Sequence, residues 1–515
     1  MNIVDISIKK VLATVMMSII ILTSAGCSED NVKTTEYDDI IIDKLEPVQL
    51  DFYAMDYGNA TNDEVENIMK EIELKLADTI NVKPKFHLIK YENYEEEIKT
   101  LVNAGKDIDA FACYGPAQFV DQNILKDITQ TLPEAAPDYY KELMSNGIGE
   151  DSIYNGSLDG KIYSVPSNNF SCPRCFIVAR KDLVDKYAEN GFETFEDYDR
   201  FLKSIKENEP KLIPGVVFSN AFFSAYMKGN GYYEPNMYPC SIWDSKGRGL
   251  NSVEKTGEFA AAYNMLLNWR KKDYTPKNPE VYYNPFYFSN GLLASQLISI
   301  DEVRNIVVDK ISNAYDYRIY PLYMKTNHLI EINARGMAIA SCSKNADRVL
   351  MFFEWLHKSQ ENYDLLRYGV KDRNYGLDGE NLVYSEDRKE IPYTWTFVTD
   401  FFSDYRYERT CFLDTANYRE VIKEASLENV KTHKEYFENT MGISVEEESQ
   451  KVYEHSEMIT SVFNKYNENM KEFHMFMDIG SGVITPEELI ETQKEAGIDK
   501  VLKLYRDLYN KDNKK

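Results

Sequence analysis

The chain has 515 residues, 43% of them hydrophobic and 13% aromatic, which is ample material for a core and more than a single core usually organises, so two lobes are expected. A net charge of −25 and a pI near 4.8 argue against nucleic acid and against a polybasic membrane patch, since both need clustered Lys and Arg.

In chain order, Lys9 and Lys10 precede an apolar run from Val11 to Leu22, and Ser24-Ala25-Gly26 lead into Cys27. The run is too short to span a bilayer as a permanent helix. Small residues directly before a cysteine suit a peptidase that cuts there and a transferase that lipidates the thiol. Residues 1–26 are therefore expected to be a signal, Cys27 the lipidation site and 27–45 a polar tether. The body is expected to work at the extracellular face of the cell membrane, held by its lipid.

Val48, Leu50 and Phe52 alternate as in a strand, and Thr61-Asn62-Asp63-Glu64 forms a capping-box pattern before Val65, Ile68, Met69, Ile72 and Leu76, which share one helical face. A second strand fits Lys85 to Tyr91. Asn93 can cap a helix carrying Ile98, Leu101 and Val102 that stops at Gly105, ahead of a third strand from Ile108 to Cys113. Strands alternating with helices imply parallel pairing and right-handed crossovers, with ligands beyond the carboxyl ends of the strands.

Five stretches, in order, resemble family 1 extracellular solute-binding proteins, the ligand-capturing lipoproteins of ABC importers in Gram-positive bacteria. YENYEEEIKTLVNAGKDIDAF resembles the N-terminal lobe, and LDGKIYSVP, from Leu158 to Pro166, the segment that crosses between lobes. RKDLVDKYAENGFETFEDYDRFLKSIKENEP resembles the start of the second lobe. INARGMAIASCSKNADRVLMFFEWLHKSQENYDLLRYG resembles the return through the first lobe, with a helix capped near Ser343 or Asn345, and EAGIDKVLKLY fits the large lipoprotein branch. Where relatives carry Trp-x-Phe-Gly-Asn, this chain departs, with Trp395-Thr396-Phe397-Val398-Thr399.

The resemblance implies an α/β, two-lobed periplasmic-binding-protein-like fold (type II), whose hinge-connected lobes hold mixed sheets flanked by helices. The expected lobes are 46–165 with 318–365, and 166–317 with 366–515 and its C-terminal helices. It also implies a monomeric receptor that closes on a small-molecule solute, a carbohydrate foremost, and presents it to ABC permease subunits. The other readings are a receptor for another polar solute such as a peptide, and a surface glycoside hydrolase.

Sugar sites need aromatic faces together with carboxylates, amides and Arg for the hydroxyls. Tyr57 and Asn59 follow the first strand, Tyr114 and Gln118 the third, and Asn168, Asn169 and Phe170 the crossing segment. Asp301 and Glu302 end an apolar stretch, Arg335 lies in the return segment, and Trp243 and Trp395 lie in polar, turn-rich surroundings. Each has a plainer alternative: the tyrosines as core or rim, the two acids as helix caps, Arg335 as the partner of a neighbouring acid. Trp269 and Trp355 sit in helical patterns and are expected in the core.

None of the six His falls in His-Glu-x-x-His spacing, and there is no Gly-x-Ser-x-Gly elbow or Walker loop. No enzyme activity, cofactor or metal is expected. Cys172-Pro173-Arg174-Cys175 leads into Phe176-Ile177-Val178-Ala179, a strand rather than a helix, so a structural disulfide or two ordinary thiols fits it better than redox catalysis. The region from Ala416 onward reads as mostly helical and is expected to pack around the second lobe.

Overall fold

The computed structural model describes residues 45–509 apart from internal stretches, the longest being 234–241, 277–286, 299–314, 410–429, 432–453 and 470–483. Cys27, Cys172, Gln118, Asn169, Asp301 and Glu302 lie outside the described residues.

The first strand, β1 (Val48–Asp56), buries Leu50, Phe52 and Ala54 completely. Helix α1 (Asp63–Ala77) begins one residue later than the capping-box pattern suggests. Asn62, not Thr61, is the cap, its side chain accepting from the amides of Glu64 and Val65. Val65, Ile68, Ile72 and Leu76 then face the core. Strand β2 (Val82–Lys90) begins earlier than expected, helix α2 (Tyr94–Asn103) follows Asn93, and β3 (Ala110–Cys113) is buried at every residue. The Tyr94 hydroxyl stitches this unit together by donating to the carbonyls of Tyr53 and Ala112, at 3.0 and 2.9 Å.

After short helices between Thr131 and Asn155 and a small hairpin, the chain forms β4 (Ser164–Pro166) and the short β5 (Phe170–Ser171), and then enters a second sheet at β6 (Phe176–Arg180). Helices α3 (Phe195–Asn208) and α4 (Gly257–Lys271) and strands β7 (Ser295–Ile298) and β8 (Tyr317–Pro321) follow. The return passes through β9 (Glu331–Ile332) to β10 (Gly336–Ile339), then α5 (Ala346–Leu356), α6 (Gln360–Tyr368) and α7 (Thr394–Thr399). Near the C-terminus lie α8 (Ser456–Asn469), α9 (Pro486–Ala496) and α10 (Ile498–Tyr509).

Two sheets result. The first has the order β2-β1-β3-β10-β4, with β1 parallel to β2 and β3, and β10 antiparallel to β3 and β4. The second has the order β7-β6-β8, antiparallel throughout. Each has its own hydrophobic core. Between the sheets the outgoing β5 and the returning β9 pair antiparallel, Phe170 opposite Ile332 and Ser171 opposite Glu331, so the lobes are joined by a narrow hinge ribbon.

In the first core Phe52 packs 5.3 Å from both Phe86 and Phe352 and 5.6 Å from Phe402. Trp395, Val398, Phe401 and Phe402, expected with the second lobe, belong to this core. The second core centres on Trp269, fully buried with its ring edge-on to Tyr198 at 5.8 Å and Phe222 at 5.1 Å, and its indole N–H on Asp199 at 2.5 Å. Val462 and Tyr466 of α8, Leu489 of α9 and Leu502 of α10 close that core. Trp355 is also buried.

Candidate functional site

Strands β1, β2 and β3 are neighbours, run parallel and end at Asp56, Lys90 and Cys113. The next residue is a tyrosine in each case: Tyr57, Tyr91 and Tyr114. A row of phenols therefore stands just beyond the carboxyl edge of the sheet, where parallel strands place ligands. The three are 43%, 56% and 40% exposed. Tyr57 stacks on Tyr91 with ring centroids 5.5 Å apart, and its hydroxyl shares a 2.5 Å hydrogen bond with that of Tyr114. Burial of one side of the ring, with that hydrogen bond, pushes the Tyr57 phenol well above its ordinary pKa, so it stays neutral.

The loop after β1 is shaped for this position. The Asp56 carboxylate accepts from the Gly58 amide at 2.8 Å, Gly58 has φ +120° and Asn59 has φ +53°. Glycine enters that region freely and Asn tolerates it better than most residues, so the chain turns sharply and leaves Tyr57 upright. Asn59 is exposed beside it.

The other wall comes from the return segment and α7. Phe397 lies 5.8 Å from Tyr57 and 5.3 Å from Tyr393, which is 46% exposed, and Phe401 lies edge-on to Tyr114 at 5.6 Å. The guanidinium of Arg335 lies 5.7 Å from the centre of the Tyr114 ring and donates through Nη1 to Asp400 at 2.9 Å. Asp400 is held from behind by Arg367, 2.9 Å away. Burial disfavours the Arg367 charge, but Glu408 and Asp400 hold its pKa well above the ordinary value. The Glu408 carboxylate also accepts from the hydroxyls of Tyr363 and Tyr368, both at 2.7 Å. Arg335 is thereby anchored through Asp400 to a buried framework. The residue after it must be small, because a Cβ at Gly336 would lie 2.6 Å from the Val165 carbonyl oxygen.

Of the sequence-predicted residues, the structure brings together Tyr57, Asn59, Tyr114 and Arg335. Trp395 is fully buried and donates through Nε1 to the Leu366 carbonyl at 2.9 Å, so it supports the site from the core and offers no face to a ligand. Asn168 is also fully buried. Phe170 lies in the hinge ribbon, and Trp243 lies in a strand, Ile242–Asp244, where it pairs with Tyr233. Tyr91, Tyr393, Phe397 and Asp400 were missed. Tyr91 was within reach of sequence reasoning: ending the second strand at Lys90 gives it the same position as Tyr57 and Tyr114.

Among the described residues, no group of three or more His, Cys, Asp or Glu is placed to hold a metal, and no helix is long and apolar enough to cross a membrane.

The sequence profile of bacterial extracellular solute-binding proteins matches residues 64–362, more than half of the chain. The chain belongs to this family. The fold agrees with solved structures of such proteins. It superposes on the N-glycan transport solute-binding protein of Streptococcus pneumoniae with a TM-score of 0.64 at 18% identity, over 91% of this chain and 100% of that one. An alginate-binding protein, solved without calcium ion, matches with a TM-score of 0.58 at 16% identity, over 90% and 98% of the two chains. The sugar-binding protein MalE of Xanthomonas citri matches at 0.52 and 13%, over 90% and 99%. No curated protein matches by sequence. In a solute-binding protein of this two-lobed fold, the tyrosine row marks the first-lobe side of the candidate site.

Proposed function

We propose that the protein is the lipid-anchored extracellular receptor of an ABC importer, and that it captures a carbohydrate, an oligosaccharide foremost, between its lobes and passes it unaltered to permease subunits. The observation that carries this reading is the row of three half-exposed tyrosines on adjacent parallel strand ends, flanked by a fixed Arg. Phenol faces suit the C–H surfaces of sugar rings, while the paired hydroxyls, Asn59 and the Arg335 guanidinium suit sugar hydroxyls. The Streptococcus pneumoniae relative in fold has been solved in complex with Man5GlcNAc, which supports the same ligand class here.

In this reading the first lobe comprises residues 45–166 and 335–409, and the second 175–323 and 456–509, with residues 1–26 a signal and Cys27 the lipid attachment point. Tyr57, Asn59, Tyr91, Tyr114 and Arg335 form the ligand platform of the first lobe. Trp243, Asp301, Glu302, Gln118, Asn169 and Phe170 are proposed as further ligand contacts on the strength of the sequence alone.

The test is a thermal-shift screen of the body from Ser28 onward against mono- and oligosaccharides, peptides and amino acids. A ligand that binds only the native state raises the melting temperature, by an amount equivalent to about 2.7 kcal/mol at a hundredfold excess over Kd. Stabilisation by an oligosaccharide is expected. Stabilisation by peptides alone, or hydrolysis of the added sugar, would refute the assignment.

A further inference from the structure

Asn168 stands where the chain leaves the first sheet for the hinge ribbon, between β4 and β5. It is fully buried, yet among the described residues neither Oδ1 nor Nδ2 has a hydrogen-bond partner. Its backbone, by contrast, is well held. The Asn168 carbonyl accepts from the Tyr405 amide at 2.9 Å, and the preceding residue, Ser167, donates its N–H and hydroxyl to the Arg335 carbonyl at 2.8 and 3.0 Å.

The polar groups around it are already engaged. The Asp404 carboxylate, across the bridge from Asn168, takes Arg406 Nε at 2.9 Å and Nη2 at 2.5 Å. The Tyr363 hydroxyl accepts from the Asp404 amide and donates to Glu408, and the Ser403 hydroxyl donates to the Asp400 carbonyl. The returning segment repeats the pattern just before β10, since Nε of Arg335 is buried and has no partner. Each of the two segments that form the hinge ribbon thus carries an unsatisfied buried polar group at the point where it meets the first sheet.

A buried amide without partners disfavours the conformation that contains it, because water satisfied the same groups before folding. At a rigid site such a group would be a pure loss. At a hinge it acts differently, because rotation of the ribbon changes its surroundings. We propose that Asn168 is a conformational bias built into the hinge: its amide is unpaired in the lobe arrangement seen here and gains partners when the lobes rotate, so it favours the other arrangement. The proposal rests on the hinge-bending, two-lobed fold and is independent of which solute is bound.

The test follows the ligand-free full chain by single-molecule energy transfer, with dyes attached through non-natural residues at Glu71 on α1 and Lys203 on α3, one on each lobe. Two populations are expected in the native chain. Asn168→Ala is expected to raise the share of the arrangement described here by about tenfold, without lowering the melting temperature. Asn168→Asp, which buries a carboxylate opposite Asp404, is expected to move the ratio the other way and lower the share of the arrangement described here. A single population in both the native chain and Asn168→Ala, or two populations whose ratio Asn168→Ala does not move, overturns the proposal. So does a fall in melting temperature with unchanged populations, which would mark the amide as satisfied by an internal water.

Discussion

The rim of the first sheet and the core of the second lobe use the same residue type in opposite ways. In the second lobe Tyr226 and Tyr323 pack against Phe195, and Tyr198 packs against Phe201 and Trp269, all buried in one dense aromatic core. In the first lobe Tyr57, Tyr91 and Tyr114 stand half exposed. The difference comes from position along the strand. A tyrosine one residue past the end of a parallel strand stands on the rim of the sheet, whereas Tyr198 and Tyr226, on helix faces packed against the core, are driven inward by their apolar area. With 38 tyrosines in the chain, composition says nothing about which are which, and topology decides.

The contrast can be broken most forcefully at Trp395, which lies directly behind the site. If it is core, Trp395→Ala costs about 3–5 kcal/mol of stability, as large-to-small changes of buried aromatics do, and Trp269→Ala in the other lobe costs a similar amount. Denaturant unfolding of both variants checks this. A Trp395→Ala protein of native stability that has lost ligand affinity would return that residue to the binding surface.

A smaller effect is expected at Arg335. Arg335→Met removes the cation beside Tyr114 but leaves Asp400 paired with Arg367, so it should weaken solute binding by about tenfold and change the melting temperature little. Calorimetric titration alongside thermal unfolding separates the two effects.

The gentlest probe is pH. Glu64 at the start of α1 is held down to a pKa of about 2, chiefly by its hydrogen bond from Arg373, helped by Asn374 and Lys389 and opposed by burial. Its ordinary value is near 4.5, so its contribution is complete above that pH and is lost as pH falls through 4.5 toward 2. Stability measured across that window should fall less steeply in Glu64→Gln than in the native chain. Parallel curves would remove Glu64 from the account.

Much of the fold was legible in the sequence. The alternation at Val48, Leu50 and Phe52 and the helical face from Val65 to Leu76 marked the first strand and helix because one face of each meets a core. The strand Phe176–Ala179 and the core positions of Trp269 and Trp355 were legible for the same reason. Half of the site was readable too, since Tyr57 and Tyr114 follow their strands directly. What stayed hidden depends on contacts distant in sequence. Trp395 lies in a short segment without clear periodicity, and only its packing 5.4 Å from Phe86, far back in the chain, places it in the first core. Asp400 acquires its role from Arg335 and Arg367, which no local pattern connects to it. The expected lobe boundary near 365 failed to anticipate α7 for the same reason.

The most direct test of the tyrosine row is calorimetric titration of the purified body with the oligosaccharide that stabilises it best, comparing the native chain with Tyr57→Ala and Tyr91→Ala. Each variant is expected to keep its fold and melting temperature and to lose about 1–3 kcal/mol of binding free energy, roughly ten- to a hundredfold in Kd. Native affinity in both variants would contradict the account and move the solute site away from the strand ends of the first lobe.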